Sequence, residues 1–244
     1  MRNLIIPGLA VALALAGCGG CNSAPGRPAL ESQVLAPNRV LKFDILYQQN
    51  CAGCHGAQGR GGAAGALSSQ VYLTIADDAT IRRVIAEGVS GTAMPAFAQS
   101  SGGMLTDEQV TALVKGIRVR WGKADSLTIS PPSYTALAVG DWKKGNEVYG
   151  TYCFSCHGSG GRGGPRAGSI VDQSYLTQVS DQYLRTIVIA GRPEMGAPDW
   201  RDNVLGKPMS QQDVSDVVAW LSAQRPKTPN QLSSSGKSAA EGIR

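Results

Sequence analysis

Two short stretches decide how this sequence is organised: Cys51-Ala52-Gly53-Cys54-His55-Gly56, and Cys153-Phe154-Ser155-Cys156-His157-Gly158, which begins 102 positions later. A second similarity follows almost the same offset, because Tyr72-Leu73-Thr74 recurs as Tyr175-Leu176-Thr177 after 103 positions. An offset that drifts slowly indicates two copies of one unit that differ by short loop insertions. The sequence therefore predicts a first copy over residues 38–124 and a second copy over residues 139–226.

Cys-x-x-Cys-His is the attachment pattern of haem c. Two cysteines three positions apart lie on one helical turn and can reach two vinyl groups on one porphyrin edge, and the next residue places its imidazole under the iron. A thioredoxin-like dithiol would need a βαβ pattern, and a zinc site would need four ligands where each stretch offers three. We therefore expect two covalently bound haems c, attached to Cys51 and Cys54 and to Cys153 and Cys156, with His55 and His157 as iron ligands.

The composition narrows the possible classes of protein. The chain has 244 residues, of which 42% are hydrophobic and 17% are charged, and this balance excludes a disordered chain. The net charge of +5 is mild and no run of Lys and Arg stands out, so nucleic acid is not an expected partner. The chain has two histidines, and each follows a cysteine. This count excludes a catalytic triad that needs a free histidine, and it excludes a second histidine ligand on either iron.

The order of elements predicted around each motif is the same in the two copies. A helix precedes each Cys pair, and in the first copy Leu41, Ile45 and Gln48 share one of its faces. Apolar residues recur at helical spacing over 79–87 and 181–190. The closing helix of each copy opens with a capping box, Thr106-Asp107-Glu108-Gln109 in the first copy and the weaker Ser210-Gln211-Gln212-Asp213 in the second.

Each copy resembles a class I cytochrome c domain in the order of its elements. That order is a helix, Cys-x-x-Cys-His, a Gly-rich loop, a Met-bearing loop and a closing helix. The resemblance covers residues 38–226 and implies an all-α fold with two tandem domains, each wrapped around one covalently attached haem. The tandem arrangement is similar to that of dihaem cytochrome c lipoproteins and of the cytochrome c subunits of bacterial respiratory complexes.

The resemblance also implies a methionine as the second axial ligand of each iron. Met94 is followed by Pro95, as in the Met-Pro loop of the family, and is the expected ligand in the first copy. In the second copy, Ala197 occupies the aligned position and Met195 lies two positions earlier. Met195 is the expected ligand there, because it follows the histidine by 38 residues, against 39 in the first copy. Met209, just before the closing helix, is the alternative, and an open iron is the third possibility.

Class I domains cross their first and last helices at a tight contact between a glycine and an aromatic residue. Gly145 and Trp220 match this pair in the second copy, whereas Phe43 and Gly116 take the two positions in the first copy with the sizes exchanged. The exchange conserves the volume at the contact. We therefore expect Phe43 to pack on Gly116, and Gly145 to pack on Trp220.

The sequence outside the two copies predicts a targeting signal and a flexible tether. Residues 1–17 have one positive charge and a short apolar run, as in a secretory signal peptide, and end in a stretch that resembles a bacterial lipobox before Cys18. The resemblance implies a lipid anchor on Cys18, a flexible tether over residues 18–37 and a location on the periplasmic side of a bacterial membrane. Residues 125–138 read as a Pro-containing linker, and residues 227–244 as a disordered tail.

Together these features favour a membrane-tethered dihaem carrier of single electrons, with redox proteins or respiratory-complex subunits as partners. The alternative is a dihaem oxidoreductase that acts on a small inorganic substrate at an open iron in the second copy. The irregular methionine of that copy is the feature that favours it, and no catalytic base is evident nearby. A redox or gas sensor would also need an open iron, and the sequence offers no output domain.

Overall fold

The computed structural model describes residues 35–123 and 127–226. The helices of the first copy are α1 (Phe43–Asn50), α2 (Ala52–His55), α3 (Gln70–Ile75), α4 (Asp78–Glu87) and α5 (Asp107–Trp121). Those of the second copy are α6 (Trp142–Tyr152), α7 (Phe154–His157), α8 (Gln173–Leu176), α9 (Asp181–Ala190) and α10 (Gln211–Ala223). Short 3-10 helices lie at Pro37–Arg39, Gln99–Ser101, Ser159–Gly161 and Pro193–Met195. The described residues contain no β-strand, so the expected all-α fold is confirmed.

Local signals set the starts of the closing helices. The Thr106 hydroxyl accepts a hydrogen bond from the Gln109 backbone N–H, and the Gln109 side chain accepts one from the Thr106 N–H. Ser210 and Asp213 form the same reciprocal box at the start of α10. Both predicted capping boxes are confirmed, and each contributes about 1 kcal/mol to helix stability. The helical stretches predicted at 79–87 and 181–190 correspond to α4 and α9.

The face predicted for the first helix is not the one that packs. Leu41 lies before α1, and both Leu41 and Ile45 are exposed, whereas Leu46 and Tyr47 are buried. Because α1 begins at Phe43, its i, i+3, i+4 positions are Phe43, Leu46 and Tyr47, and these join the core.

Each copy closes by packing its first helix on its last. A Cβ added to Gly116 of α5 would lie 2.1 Å from Cδ2 of Phe43 in α1. A Cβ added to Gly145 of α6 would lie 2.0 Å from the carbonyl oxygen of Asp216 and 2.7 Å from Cβ of Trp220, both in α10. Both predicted pairs are in contact, and the bulky partner lies on the first helix of one copy and on the last helix of the other.

Two buried clusters form the cores. The first copy contributes Leu46, Tyr47, Leu73, Ala76, Ile81, Ile85, Ala98, Leu105, Val110, Leu113, Val114 and Ile117. The second cluster comprises Val148, Tyr149, Tyr152, Leu176, Leu184, Ile189, Ala190, Trp200, Met209, Val214, Val217, Trp220 and Leu221. Val71 of α3 belongs to this second cluster although it lies in the first copy, because α3 packs against α9. The copies therefore share a packed contact.

The segment between the copies is held on the second one. Arg185 Nε lies 3.0 Å from the Ser133 carbonyl oxygen and 3.1 Å from that of Tyr134, and it donates to both. The Gln211 side-chain oxygen accepts a hydrogen bond from the Ser133 N–H. These bonds fix part of the predicted linker against α9 and α10.

From Val40 onward the described residues belong to one compact unit, and residues 35–39 belong to another. The predicted leader 1–17, Cys18, the tether up to residue 34, linker residues 125–126 and the tail 227–244 lie outside the described residues. Among the helices at 35–123 and 127–226, none combines the length and apolar character needed to cross a bilayer.

Candidate haem centres

Each Cys-x-x-Cys-His stretch forms a single tight turn at the end of the first helix of its copy. Cys51 ends α1 and begins α2, and the His55 N–H donates to the Cys51 carbonyl oxygen at 3.0 Å. Cys153 has the same place between α6 and α7, with His157 N–H donating to its carbonyl oxygen at 3.0 Å. The two thiols of a pair therefore lie on one turn, with the imidazole on the next residue.

A backbone carbonyl orients each histidine. His55 Nδ1 lies 2.8 Å from the Gly65 oxygen, and His157 Nδ1 lies 2.9 Å from the Gly168 oxygen. A carbonyl can only accept, so Nδ1 carries the proton and Nε2 keeps a free lone pair. This is the arrangement by which metal-ligating histidines are fixed from behind. Both donor sets therefore fit a covalently attached haem with histidine on its iron.

The chemistry of the thiols agrees with a structural attachment. Burial, followed by the charge of Cys54, raises the pKa of Cys51 to about 11. Burial and the neighbouring Cys156 raise the pKa of Cys153 to about 12. A reactive thiol needs a lowered pKa, so Cys51 and Cys153 are not poised to act as the attacking thiols of disulfide exchange at neutral pH. Burial also lowers the pKa of His55, which favours the neutral imidazole that ligates metals.

Glycines let the following loop fold back on the motif. Gly56 has φ +80°, and a Cβ there would lie 2.0 Å from the Arg60 carbonyl oxygen. A Cβ on Gly62 would lie 2.1 Å from the Cys54 carbonyl oxygen. The second copy repeats this at Gly158, where a Cβ would lie 2.2 Å from the Gly163 oxygen. No side chain fits at these positions, so the glycines are explained by close backbone contact.

A tyrosine lies four positions before the first cysteine of each motif, and it was not among the residues predicted from the sequence. The Tyr47 hydroxyl donates to the Gly56 carbonyl oxygen at 2.7 Å, and the Tyr149 hydroxyl donates to the Gly158 carbonyl oxygen. Both rings are buried. Each tyrosine ties the first helix to the glycine after the histidine, and its recurrence at the motif's own offset of 102 was the signal that could have found it.

Met94 lies on a backbone turn that follows α4. The Val89 N–H donates to the Met94 carbonyl oxygen at 3.0 Å, and the Met94 N–H donates to the Thr92 hydroxyl at 3.2 Å. The Met94 side chain is half-buried. Gly88 follows the helix with φ +68°, and a Cβ there would lie within 2.7 Å of the backbone of residues 94–96, so this turn leaves no room for a side chain.

The second copy builds the same turn with alanine in the place of Met94. The Arg192 N–H donates to the Ala197 carbonyl oxygen at 2.9 Å, which corresponds to the bond from Val89 to Met94. Met195 lies inside this turn at the end of a 3-10 helix and is 67% exposed. The structure therefore agrees with the sequence alignment of Ala197 with Met94.

Met209 lies elsewhere, in the core of the second copy. It is 3% exposed, and its N–H donates to the Trp200 carbonyl oxygen at 2.9 Å. In the first copy the Leu105 N–H donates to the Phe97 carbonyl oxygen in the same way. Met209 thus packs where the first copy has Leu105.

Paired Cys-x-x-Cys-His turns, histidines fixed through Nδ1 and an all-helical fold define a tandem class I cytochrome c. The family described as "Cytochrome C oxidase, cbb3-type, subunit III" matches residues 38–115 and 140–221, and the chain belongs to this family. Cytochrome c domains imply covalently bound haem c.

Several curated proteins are similar to this chain. A "Cbb3-type cytochrome c oxidase subunit CcoP" of Azospirillum sp. (strain B510) is 30% identical over 138 residues, which cover 50% of this chain and 40% of the relative. A "Cbb3-type cytochrome c oxidase subunit FixP" of Sinorhizobium medicae (strain WSM419) is 28% identical over 196 residues, covering 72% of this chain and 61% of the relative. A "Cytochrome bc1 complex cytochrome c subunit" of Corynebacterium efficiens is 30% identical over 115 residues, 47% of this chain and 35% of the relative. The chain thus spans less than two thirds of the length of each of these relatives.

Proposed function

We propose that this protein is a dihaem c-type cytochrome that carries single electrons between respiratory-chain partners outside the cytoplasmic membrane. The observation that carries the proposal is the repeated histidine geometry, His55 on the Gly65 oxygen and His157 on the Gly168 oxygen, each beside a Cys pair on one turn. Membership of the cbb3-type subunit III family supports the same function.

The chain's own residues bind, orient and shield the two groups. Cys51 and Cys54 attach one haem, and Cys153 and Cys156 attach the other. Haem iron supplies reversible one-electron chemistry between Fe(III) and Fe(II). The hydrogen bond at Nδ1 holds each imidazole in one orientation and one tautomer, so little has to move when an electron arrives. No side chain in this arrangement has to move a proton.

The haem count tests this proposal directly. The purified protein should contain two haems per chain in an alkaline pyridine assay. The Cys51→Ala/Cys54→Ala variant and the Cys153→Ala/Cys156→Ala variant should each retain one, whereas Cys21→Ala, which lies outside both motifs, should retain two. One haem in the unsubstituted protein would contradict the proposal.

Methionine completes each centre in this proposal, Met94 in the first and Met195 in the second. Met195 is favoured over Met209 because it lies on the loop that corresponds to the Met94 loop and its side chain is free of core packing. Carbon monoxide added to the fully reduced protein should bind neither iron. Met195→Ala should then open the second iron to carbon monoxide, whereas Met209→Ala should leave it closed; the reverse result assigns Met209.

One observation favours a second candidate function. Ala197 occupies the place of Met94, and an iron without a sulfur ligand can bind a small molecule. The protein would then be a dihaem oxidoreductase acting on a small inorganic substrate at the second centre. Ready binding of carbon monoxide to one haem of the unsubstituted protein, with turnover of thiosulfate or peroxide, would support this function over the carrier.

The proposed location rests on the N-terminal sequence, which ends its apolar run at Cys18. A lipid on Cys18 would confine the carrier near its partners and raise their effective concentration. Cys18→Ser should abolish the incorporation of labelled palmitate into the protein, with Cys21→Ser as the matched variant that retains the label. For the partner, the reduced protein should be oxidised by membranes that contain a cbb3-type oxidase, and membranes without that oxidase should leave it reduced.

A further inference from the structure

The loop behind the first histidine is a short backbone segment, residues 62–65, here called the proximal loop. Its Ala64 N–H donates to the Cys54 carbonyl oxygen at 2.9 Å, and its Gly65 carbonyl oxygen accepts from His55 Nδ1 at 2.8 Å. The position of this loop therefore sets the orientation of the His55 imidazole.

A side chain of the second copy holds the other half of this loop. Arg192 Nη2 donates to the Gly62 carbonyl oxygen at 2.6 Å, and Nη1 donates to that of Ala63 at 3.3 Å. Arg192 Nε donates to the Glu194 carboxylate at 3.1 Å, and the Arg192 side chain is 14% exposed. All three guanidinium nitrogens are thus engaged, and two of them bind consecutive carbonyls of the proximal loop.

Helix α9 closes the remaining side of the loop. A Cβ added to Gly65 would lie 3.2 Å from Ile187 Cδ1 and 3.6 Å from Tyr183 Cε2. The carbonyl that orients His55 therefore lies between the Cys-x-x-Cys-His turn of its own copy and a helix of the other copy.

The second centre has no equivalent restraint among the residues that the structure describes. Its corresponding loop, residues 164–168, also offers a carbonyl to its histidine, but a Cβ on Gly168 would meet nothing within 4 Å. The first-copy residue that corresponds to Arg192 is Val89, which has no charge to offer. Arg166, which lies on this second loop, is exposed and makes no hydrogen bond within the described part of the chain.

Arg192 also belongs to the methionine loop of the second centre. Its N–H donates to the Ala197 carbonyl oxygen at 2.9 Å, and its own carbonyl oxygen accepts from the Ala197 N–H at 3.1 Å. The backbone of Arg192 therefore closes the loop that contains Met195, and the side chain of Arg192 binds the proximal loop of the first centre.

We infer that Arg192, a residue of the second copy, is a positioning residue for the first haem centre. It fixes the loop that orients His55, and it places a positive charge beside this histidine. The inference rests on the proposed function, since it concerns the reduction potential of the first haem. A positive charge near an iron disfavours the more positive oxidation state, so Arg192 raises that potential, and Glu194 partly offsets it.

Potentiometric titration of the full-length, haem-loaded protein tests the charge. Arg192→Gln should lower the potential of the first centre, and Glu194→Gln should raise it. Arg166→Gln makes the same charge change on the loop of the second centre, at an exposed position, and should leave the first potential unchanged. The Cys153→Ala/Cys156→Ala variant, in which the first haem remains, assigns the two potentials.

Hydrogen exchange at the Ala64 amide tests the positioning without relying on the haem. Arg192→Gln should accelerate this exchange, Arg166→Gln should not, and Arg192→Lys should keep the potential close to that of the unsubstituted protein while exchange still accelerates. The inference is overturned if the first potential moves no further in Arg192→Gln than in Arg166→Gln, or if the Ala64 exchange rate is unaltered. If the first centre holds no redox-active haem, the proposed function fails, and the exchange rate alone decides the positioning.

Discussion

The two copies reach the same local arrangement from different positions on their closing helices. In the second copy Trp220 stacks on Tyr149 with ring centroids 4.3 Å apart, and it lies on the helix directly opposite Gly145. In the first copy that helix position is Gly116, and Trp121, further along α5, meets Tyr47 edge-on at 5.1 Å.

The indole rings of both tryptophans contact corresponding glycines of the loop, Gly59 in the first copy and Gly161 in the second. A Cβ on Gly59 would lie 2.8 Å from Trp121 Cη2, and a Cβ on Gly161 would lie 3.3 Å from Trp220 Cη2. In both copies the structure therefore requires an indole between the tyrosine and the glycine loop. It does not require a fixed helix position, provided that the first helix compensates, as Phe43 does in the first copy.

The largest difference should follow from removing the bulky residue of each helix contact. Trp220 is 4% exposed and its loss should lower the free energy of unfolding by about 4 kcal/mol, whereas the half-buried Phe43 should cost about 2 kcal/mol. Urea unfolding of Trp220→Ala and Phe43→Ala in the haem-loaded protein measures both. A cost for Phe43→Ala equal to that for Trp220→Ala would mean that Trp121 does not share the first contact.

Arg82 and Arg185 lie 103 positions apart, at corresponding places in the two copies, but their surroundings differ. Arg185 is 3% exposed and donates to the carbonyls of Ser133 and Tyr134 and to the Ser215 hydroxyl, so Arg185→Ala should cost about 2 kcal/mol. Its counterpart Arg82 forms an exposed pair with Asp107, and Arg82→Ala should cost less than about 1 kcal/mol.

Raising the ionic strength should affect the two arginine variants differently. The cost of Arg82→Ala should fall in urea titrations at high ionic strength, because exposed charge pairs are screened. The cost of Arg185→Ala should be unaffected, since its partners are uncharged and the Arg185 side chain is itself buried. A salt-sensitive Arg185→Ala would contradict the buried, neutral-partner role given to it.

The glycines at the helix contacts should rank third. Alanine adds about 1 kcal/mol of helix propensity, and overpacking removes about 1–3 kcal/mol. At Gly145 the added Cβ meets the backbone oxygen of Asp216, which cannot move aside, so Gly145→Ala should lose about 2 kcal/mol net. At Gly116 it meets the Phe43 side chain, which can shift, so Gly116→Ala should stay within about 1 kcal/mol of neutral. Thermal unfolding of the two variants ranks them, and the opposite order would show that the Phe43 contact is the stiffer one.

The sequence predicted what repeats or lies close along the chain. The Cys-x-x-Cys-His turns and both capping boxes are local patterns that occur in each copy, and both helix-crossing pairs follow from the resemblance to class I domains. Arg192 was missed because it binds carbonyls 129 and 130 positions away and has Val89 as its counterpart. The packing face of α1 was also wrong, because Ile45 and Leu46 are both apolar and the face that packs is the one that meets the rest of the core, including α5. Long-range contacts that occur in one copy alone leave no pattern in a single sequence.

A small expected effect tests a hydrogen bond that the two copies have in common. Tyr47→Phe removes the hydrogen bond to Gly56 and should lower the free energy of unfolding by about 1 kcal/mol below pH 10, and Tyr149→Phe should lower it by a similar amount.

Burial raises the pKa of Tyr47 to about 12 from its usual value of 10, and burial raises the pKa of Tyr149 as well. An unfolded chain releases this proton near pH 10 whereas the folded protein retains it to about pH 12, so the stability linked to Tyr47 is complete below pH 10 and is lost as the pH rises to about 12. The difference in unfolding free energy between the unsubstituted protein and Tyr47→Phe should therefore shrink across this range in urea titrations. A difference that stays constant from pH 9 to pH 12 would show that the Tyr47 hydroxyl ionises as freely in the fold as in the unfolded chain, and would contradict the role given to its burial.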